Sequence, residues 1–152
     1  MNKKWFYLLC IVIIISFILY QQFLRKTNLK EPPQIIVKSS FDDIKAVLGT
    51  YSWEYKTLLG GKTGFCADSP APPELVKDKE PLVVEARTEL EIVTYYKPEE
   101  LTVRLWEDSK TITQKIRENK IVVPKEKGRY IYEVLAKWKQ GKANYAFLIE
   151  VK

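Results

Sequence analysis

Cys66 is the one thiol outside an apolar N-terminal stretch, and a thiolate is the strongest nucleophile this chain could offer. A reactive cysteine needs a base or a cation beside it to lower its pKa. In sequence only Lys62 and Asp68 stand near, and the 152 residues contain no histidine. The missing histidine removes Ser-His-Asp and Cys-His catalysis and the commonest metal ligand. The carboxylates that could act in pairs are Asp42-Asp43, Glu99-Glu100 and Glu107-Asp108. Adjacent acids at a strand end point apart, and each pair sits beside a turn, so they read as solvated charge. Paired acids for glycoside hydrolysis are defined by spatial separation, which sequence leaves open, but a small β-sandwich has little room for a substrate cleft. A calcium site needs loop oxygens converging at fixed spacing, and none recurs. Gly60-Gly61-Lys62-Thr63-Gly64 has the glycines and lysine of a phosphate loop without its spacing or following helix, and reads as a hairpin turn. The expectation is no enzyme, no cofactor and no metal.

The elements that would position any site are strands. Tyr130, Tyr132, Val134, Ala136 and Trp138 alternate with Ile131, Glu133, Leu135 and Lys137. Ala143, Tyr145, Phe147, Ile149 and Val151 alternate with Asn144, Ala146, Leu148 and Glu150. Side chains of a strand point to opposite faces with period two. Residues 128–151 therefore predict a β-hairpin turned at Lys139-Gln140-Gly141-Lys142, with one aromatic, buried face and Arg129, Glu133 and Lys137 on the other. Val47, Gly49, Tyr51, Trp53 and Tyr55 form a second alternating run, which outweighs a helix over 40–48 and starts the strand near Ile44. Short strands are also predicted at 35–37, 63–67, 82–86, 90–96, 101–106, 111–116 and 121–123, with 82–96 read as two strands or one bulged strand and residues 107–110 as a turn. Turn signals at this frequency are the pattern of an all-β sandwich and not of βαβ units. Pro70, Pro72 and Pro73 exclude a helix interior or a central strand, so residues 68–74 read as a loop of polyproline type.

Ahead of the strands, residues 5–20 are apolar except for Ser16, and Phe23 and Leu24 extend the run. About 20 helical residues rise about 30 Å, the hydrocarbon thickness of a bilayer. Lys3, Lys4, Arg25 and Lys26 flank the stretch, and no small-x-small cleavage site follows, so it reads as an uncleaved anchor. The chain thus divides into an anchor (1–26), a linker (27–43) and a sandwich (44–152), with Pro32 and Pro33 in an extended spacer over 25–40 that lifts the domain off the bilayer. The positive-inside count does not favour export, yet a small β domain behind an N-terminal anchor is expected outside the cytoplasm. Cys10 lies within the span, leaving Cys66 without a disulfide partner in the domain.

Net charge is +6. Residues 27–100 carry 9 basic and 13 acidic residues, and 101–152 carry 12 and 6. A nucleic-acid binder would show a stronger basic footprint on its folded part, so no nucleic-acid partner is expected. The basic half could face lipid headgroups or an anionic wall polymer.

Glu126-Lys127-Gly128-Arg129-Tyr130-Ile131-Tyr132 resembles the tyrosine corner of immunoglobulin-like domains, whose tyrosine hydroxyl bonds to upstream backbone. The resemblance implies an immunoglobulin-like antiparallel β-sandwich without the usual disulfide, Tyr132 standing where antibody domains have their second cysteine and Trp53 or Trp106 as the core tryptophan. Gly49-Thr50-Tyr51-Ser52-Trp53, Cys66-Ala67-Asp68, Pro72-Pro73-Glu74-Leu75 and the ending 130–151 together resemble uncharacterised membrane-anchored or secreted envelope proteins of Gram-positive bacteria. Similar endings belong to the appended domain of some antibiotic-sensing membrane metallopeptidases. In some relatives the Ser52 position is cysteine, which implies that Cys66 here is an orphaned disulfide partner.

Two functions are therefore expected to compete. One is a non-enzymatic, membrane-anchored, extracytoplasmic interaction or sensory domain that binds a protein partner through the loop of Asp68, Pro70, Pro72, Pro73 and Glu74, or through a free strand edge. The other is an electrostatic adaptor to an anionic envelope polymer or lipid through Lys110, Lys115, Arg117, Lys120, Lys125, Lys127 and Arg129.

Overall fold

A computed structural model describes residues 3–27, 29–57, 60–107 and 110–152. The first element is a helix, α1 (Lys3–Thr27), which holds an apolar stretch over Lys3–Tyr20 with mean hydropathy 1.9 and none of it buried against the chain. It has the length and composition of a membrane anchor or a signal sequence.

The rest is β structure in two sheets. One contains β1 (Ile35–Lys38), β2 (Asp43–Lys45), β6 (Glu89–Thr94) and β9 (Lys120–Val122), in the order β2-β1-β6-β9. The other contains β3 (Val47–Lys56), β4 (Lys62–Ala67), β7 (Glu100–Glu107), β8 (Lys110–Thr113), β10 (Gly128–Trp138) and β11 (Gly141–Val151), in the order β4-β3-β11-β10-β7-β8. A short strand, β5 (Leu82–Val84), joins β11 where β3 leaves off. That pair is parallel, an exception to the expected antiparallel pattern. Residues 82–96 are two strands belonging to different sheets. The chain crosses at Glu85–Thr88, where Arg87 takes φ 60 and Thr88 bonds back to the Glu85 carbonyl.

The β10/β11 hairpin has eleven cross-strand pairs, from Gly128↔Val151 to Trp138↔Gly141. Tyr132, Val134, Ala136, Trp138, Ala143, Tyr145, Phe147, Ile149 and Val151 all face the core, as their alternation predicts. Tyr132 stacks on Phe147 at 5.2 Å. Trp53, only 1% exposed, meets Trp138 edge to face at 5.6 Å, and both are buried in the core; Trp106 is half-buried. Ile35, Val37, Leu90, Ile92, Ile121 and Val123 close the core from the smaller sheet. Burial pushes the phenols of Tyr132 and Tyr145 well above the usual tyrosine range, because an ionised phenolate would lose its hydration.

Four expectations need correction. The strand expected over 35–37 is present as β1, but the segment 27–43 that contains it is no linker: β1 is paired to both β2 and β6 with Ile35 and Val37 fully buried. Nor is the segment before it a free spacer. Trp53 Nε1 donates to the Leu29 carbonyl at 2.9 Å and Tyr145 Oη to the Pro33 carbonyl at 2.7 Å. Buried indole and phenol groups need acceptors, and this strip of backbone supplies them.

The proline-rich loop is partly helical: α2 (Pro72–Val76) carries its prolines at the first two positions. There proline loses no helical hydrogen bond and its fixed φ fits. A five-residue helix has no stability of its own. Burying Val76 against Ala146 and Leu148 holds it, an effect of about 1.5–3 kcal/mol for a fully buried side chain of this kind. Consequently the outer face of the main hairpin is not simply solvated. Ala146 and Leu148 are buried under α2, and Glu133, expected in solvent, is only 6% exposed. Asp108 of the Glu107-Asp108 pair, and part of the turn at 107–110, lie outside the described residues.

Candidate functional site

Because α2 covers only the half of the outer sheet face around Ala146 and Leu148, the other half stays open. There β3, β4, β7, β10 and β11 enclose a concavity of about 510 Å³. Thr50, Ser52, Cys66 and Asp68 form one wall, Glu100 and Thr102 the other, and Leu135, Lys137, Lys142 and Asn144 stand on the floor. The pairing places them on one face: Thr102 lies opposite Leu135, Leu135 opposite Asn144, and Lys142 opposite Ser52.

A bulge shapes the floor. Ala143 pairs with Tyr51 but Tyr145 pairs with Leu48, so Asn144 faces two residues of β3, Gly49 and Thr50. The Asn144 side chain lies over Gly49, where a Cβ would come within 2.4 Å of Asn144 Oδ1. Asn144 Nδ2 donates to Glu133 Oε1 at 3.0 Å, and Trp106 Nε1 to Glu133 Oε2 at 3.4 Å. These donors satisfy the buried carboxylate, which in turn holds Asn144 at the groove floor. At the rim Lys137 Nζ donates to Glu100 Oε1 at 2.6 Å, and this bond is the main cause holding the lysine pKa above its ordinary value. Among the described residues, the side chains of Lys142 and Asp68 have no hydrogen-bond or ion-pair partner. The groove thus offers hydroxyls, an amide, one uncompensated cation and one uncompensated anion.

Cys66 lies on the wall with its Sγ 3.4 Å from Ser52 Oγ. The β3/β4 turn closes with Thr57 N–H on the Gly61 carbonyl. Counting back by the alternation of an antiparallel ladder, Ser52↔Cys66 is a non-hydrogen-bonded pair, the kind with close Cα atoms. Those separations lie within disulfide range. Ser52→Cys is expected to oxidise to a cross-strand disulfide and raise stability by about 2 kcal/mol. Thiol titration and the denaturant midpoint with and without reductant measure both; two titratable thiols in the oxidised domain would show that the strands do not face each other this way.

The residues expected to bind are dispersed. Of the loop, Asp68 lines the groove and Pro70 is exposed beside it. Pro72 is buried, Pro73 is half-buried, and Glu74 is exposed and ion-paired with Lys77. Of the basic set, Lys110 is on β8 at an edge of the larger sheet and Lys120 on β9 at an edge of the smaller one. Lys115, Arg117, Lys125 and Lys127 are exposed in the connections. Lys120 pairs with Glu89 at 3.5 Å and Arg129 with Glu150 at 3.6 Å. The sequence reading missed Thr50, Ser52, Thr102, Lys137, Lys142 and Asn144. Their signal was polarity on the outward positions of strands, which an ordinary solvated face shares. Among the described residues, no three Cys, Asp or Glu side chains stand together in a way that could hold a metal ion. No protein-family model matches this chain, and no curated protein matches it.

Proposed function

We propose that this chain is a non-enzymatic binding domain, tethered to the membrane by α1 and displayed outside the cytoplasm, and that the outer-face groove is where its ligand lies. The observation that carries this reading is the groove itself. Its volume of about 510 Å³ falls in the range of ligand sites, and the free Lys142 and Asp68 stand among hydroxyl and amide groups. A short peptide segment, with carboxylate, amine and regularly spaced amides, matches that lining. A non-enzymatic role is supported by the Cys66 thiol donating to Ser52 instead of facing a base.

The immunoglobulin-like reading of the sandwich is supported by Tyr130 Oη donating to the Glu126 carbonyl at 2.8 Å, four residues upstream, and by the buried Trp53. The rival reading, an electrostatic adaptor, draws less support: Lys120 and Arg129 are already ion-paired, and the basic residues divide between two sheets.

The test is photo-crosslinking in intact cells of the anchored chain, with the reactive side chain at Thr50 or Thr102 in the groove or at Val122, exposed on the other sheet. The same species should be captured from both groove positions and not from Val122. Equal capture from all three would overturn the groove as the binding site.

A further inference from the structure

We infer that the folded domain is not held away from the membrane but rests its tether-bearing end, with Tyr95, Lys97 and Lys139, on the lipid headgroups. This rests on the reading of α1 as a membrane anchor. The first step is the length of the tether. Helix α1 ends at Thr27, and Leu29 already belongs to the domain: its carbonyl accepts the Trp53 indole and its side chain packs against the core. Beyond it the Pro33 carbonyl accepts from Tyr145, and Gln34 Nε2 donates to the Ala46 carbonyl at 3.0 Å. Only residue 28 separates the helix end from the first docked residue. Two Cα steps span at most about 7 Å. The headgroup layer on each side of a bilayer is roughly 5–8 Å thick. Helix residues 25–27, past the apolar run, add about 4.5 Å. The link of about 11–12 Å can therefore hold this end of the domain only a few Å beyond the layer, within reach of a lysine or tyrosine side chain.

The second step is which end of the sandwich that tether holds. Trp53 packs edge to face on Trp138, and Trp138 Nε1 donates to the Tyr96 carbonyl at 2.8 Å. Gly141 lies opposite Trp53, and Glu54 N–H reaches the Gln140 carbonyl at 2.7 Å. Leu29, the Lys139–Gln140 turn and the segment Tyr95–Lys97 are therefore joined through one pair of tryptophans at one end. Tyr95 is 72% exposed there, and Lys97 and Lys139, which follow in sequence the Tyr96 and Trp138 joined by that indole bond, are exposed as well. An exposed tyrosine with long-stemmed lysines is the composition of a membrane interface: the ring sits among headgroups while the ammonium groups reach phosphates. Glu31, Glu54, Glu99 and Glu100 carry opposing charge at this end, Glu54 and Glu100 being paired with Lys62 and Lys137, so anionic lipid adds to the contact without being its only source. At the far end of β1 from the tether, Phe41 is 99% exposed on the β1–β2 turn.

The experiment uses the full chain with Cys10→Ala and Cys66→Ser, reconstituted in phosphatidylcholine vesicles with and without phosphatidylglycerol. A nitroxide is attached at Lys139→Cys or, as the solvent reference, at Phe41→Cys. Collision with membrane-soluble oxygen and with a water-soluble nickel chelate is read by electron paramagnetic resonance. At position 139 the nickel collision rate is expected to fall several-fold below that at 41 and the oxygen rate to rise, more so with phosphatidylglycerol. A chain that stays in the vesicles through an alkaline wash, yet is as open to nickel at 139 as at 41, overturns this inference and leaves the anchor intact. A chain released by the wash overturns both.

Discussion

Trp53→Ala is expected to lower the unfolding free energy of the β domain by about 3–5 kcal/mol, the range for emptying an aromatic site in a close-packed core. Trp53 is fully enclosed between the sheets, meets Trp138 edge to face, and sits opposite Phe65 on one side and Gly141 on the other. Against a typical total of about 5–15 kcal/mol, that loss is a large share of what holds the fold. It also removes the donor that fixes Leu29. Trp53→Phe separates the two effects, because phenylalanine refills much of the volume but has no N–H for the Leu29 carbonyl. The alanine variant should show a sharply lower denaturant midpoint. The phenylalanine variant should keep most of the midpoint but cleave faster in the 29–34 segment under limited proteolysis. Equal cleavage of wild type and Trp53→Phe would mean that the indole bond does not hold the 29–34 segment.

This dual role of one tryptophan shows what the sequence carried and what it did not. The alternation of β10 and β11 was readable because a strand buried on one face writes its environment into every second residue. For the same reason the burial of Trp53 and Trp138 was legible. That Leu29 and Pro33 serve as acceptors was not, since any residue's carbonyl can do so and only the folded partner decides which. The helix at Pro72–Val76 was hidden by a rule with a positional exception: proline breaks a helix interior and starts a helix well. The burial of Glu133 follows from α2 covering one half of the outer face and from Asn144 reaching across a bulge, both products of non-local pairing. The groove has the same origin. Its walls come from β3 with β4 and from β7, and nothing in the order of the chain announces that these strands flank β10 and β11.

Gly141→Ala is expected to destabilise the domain by about 3 kcal/mol, at the upper end of what overpacking costs. A Cβ there would stand 2.0 Å from the Ser52 carbonyl oxygen and 3.0 Å from Trp53 Cα, both backbone atoms of the neighbouring strand. Side chains can turn away from such a contact, but two paired backbones can only separate. The glycine also sits at φ 158, which a side chain disfavours. Separation would begin at the Gly141↔Trp53 and Lys142↔Ser52 pairs, so it would pull the groove floor from its wall and slacken the packing of Trp53 at once. Gly64→Ala on β4 is the matched control. Its Cβ would meet the flexible Glu54 Cγ at 3.3 Å, so a shift within about 1 kcal/mol is expected there. Denaturant midpoints rank the two, and amide exchange at Ser52 and Lys142, the hydrogen-bonded pair next to Gly141 in the β3/β11 ladder, locates the damage. Unchanged exchange with a lowered midpoint would place the strain in the Lys139–Gln140 turn instead of the β3/β11 seam, and the groove would survive it. Loss of protection at both amides, together with loss of capture at Thr50, would tie ligand binding to the register of these two strands.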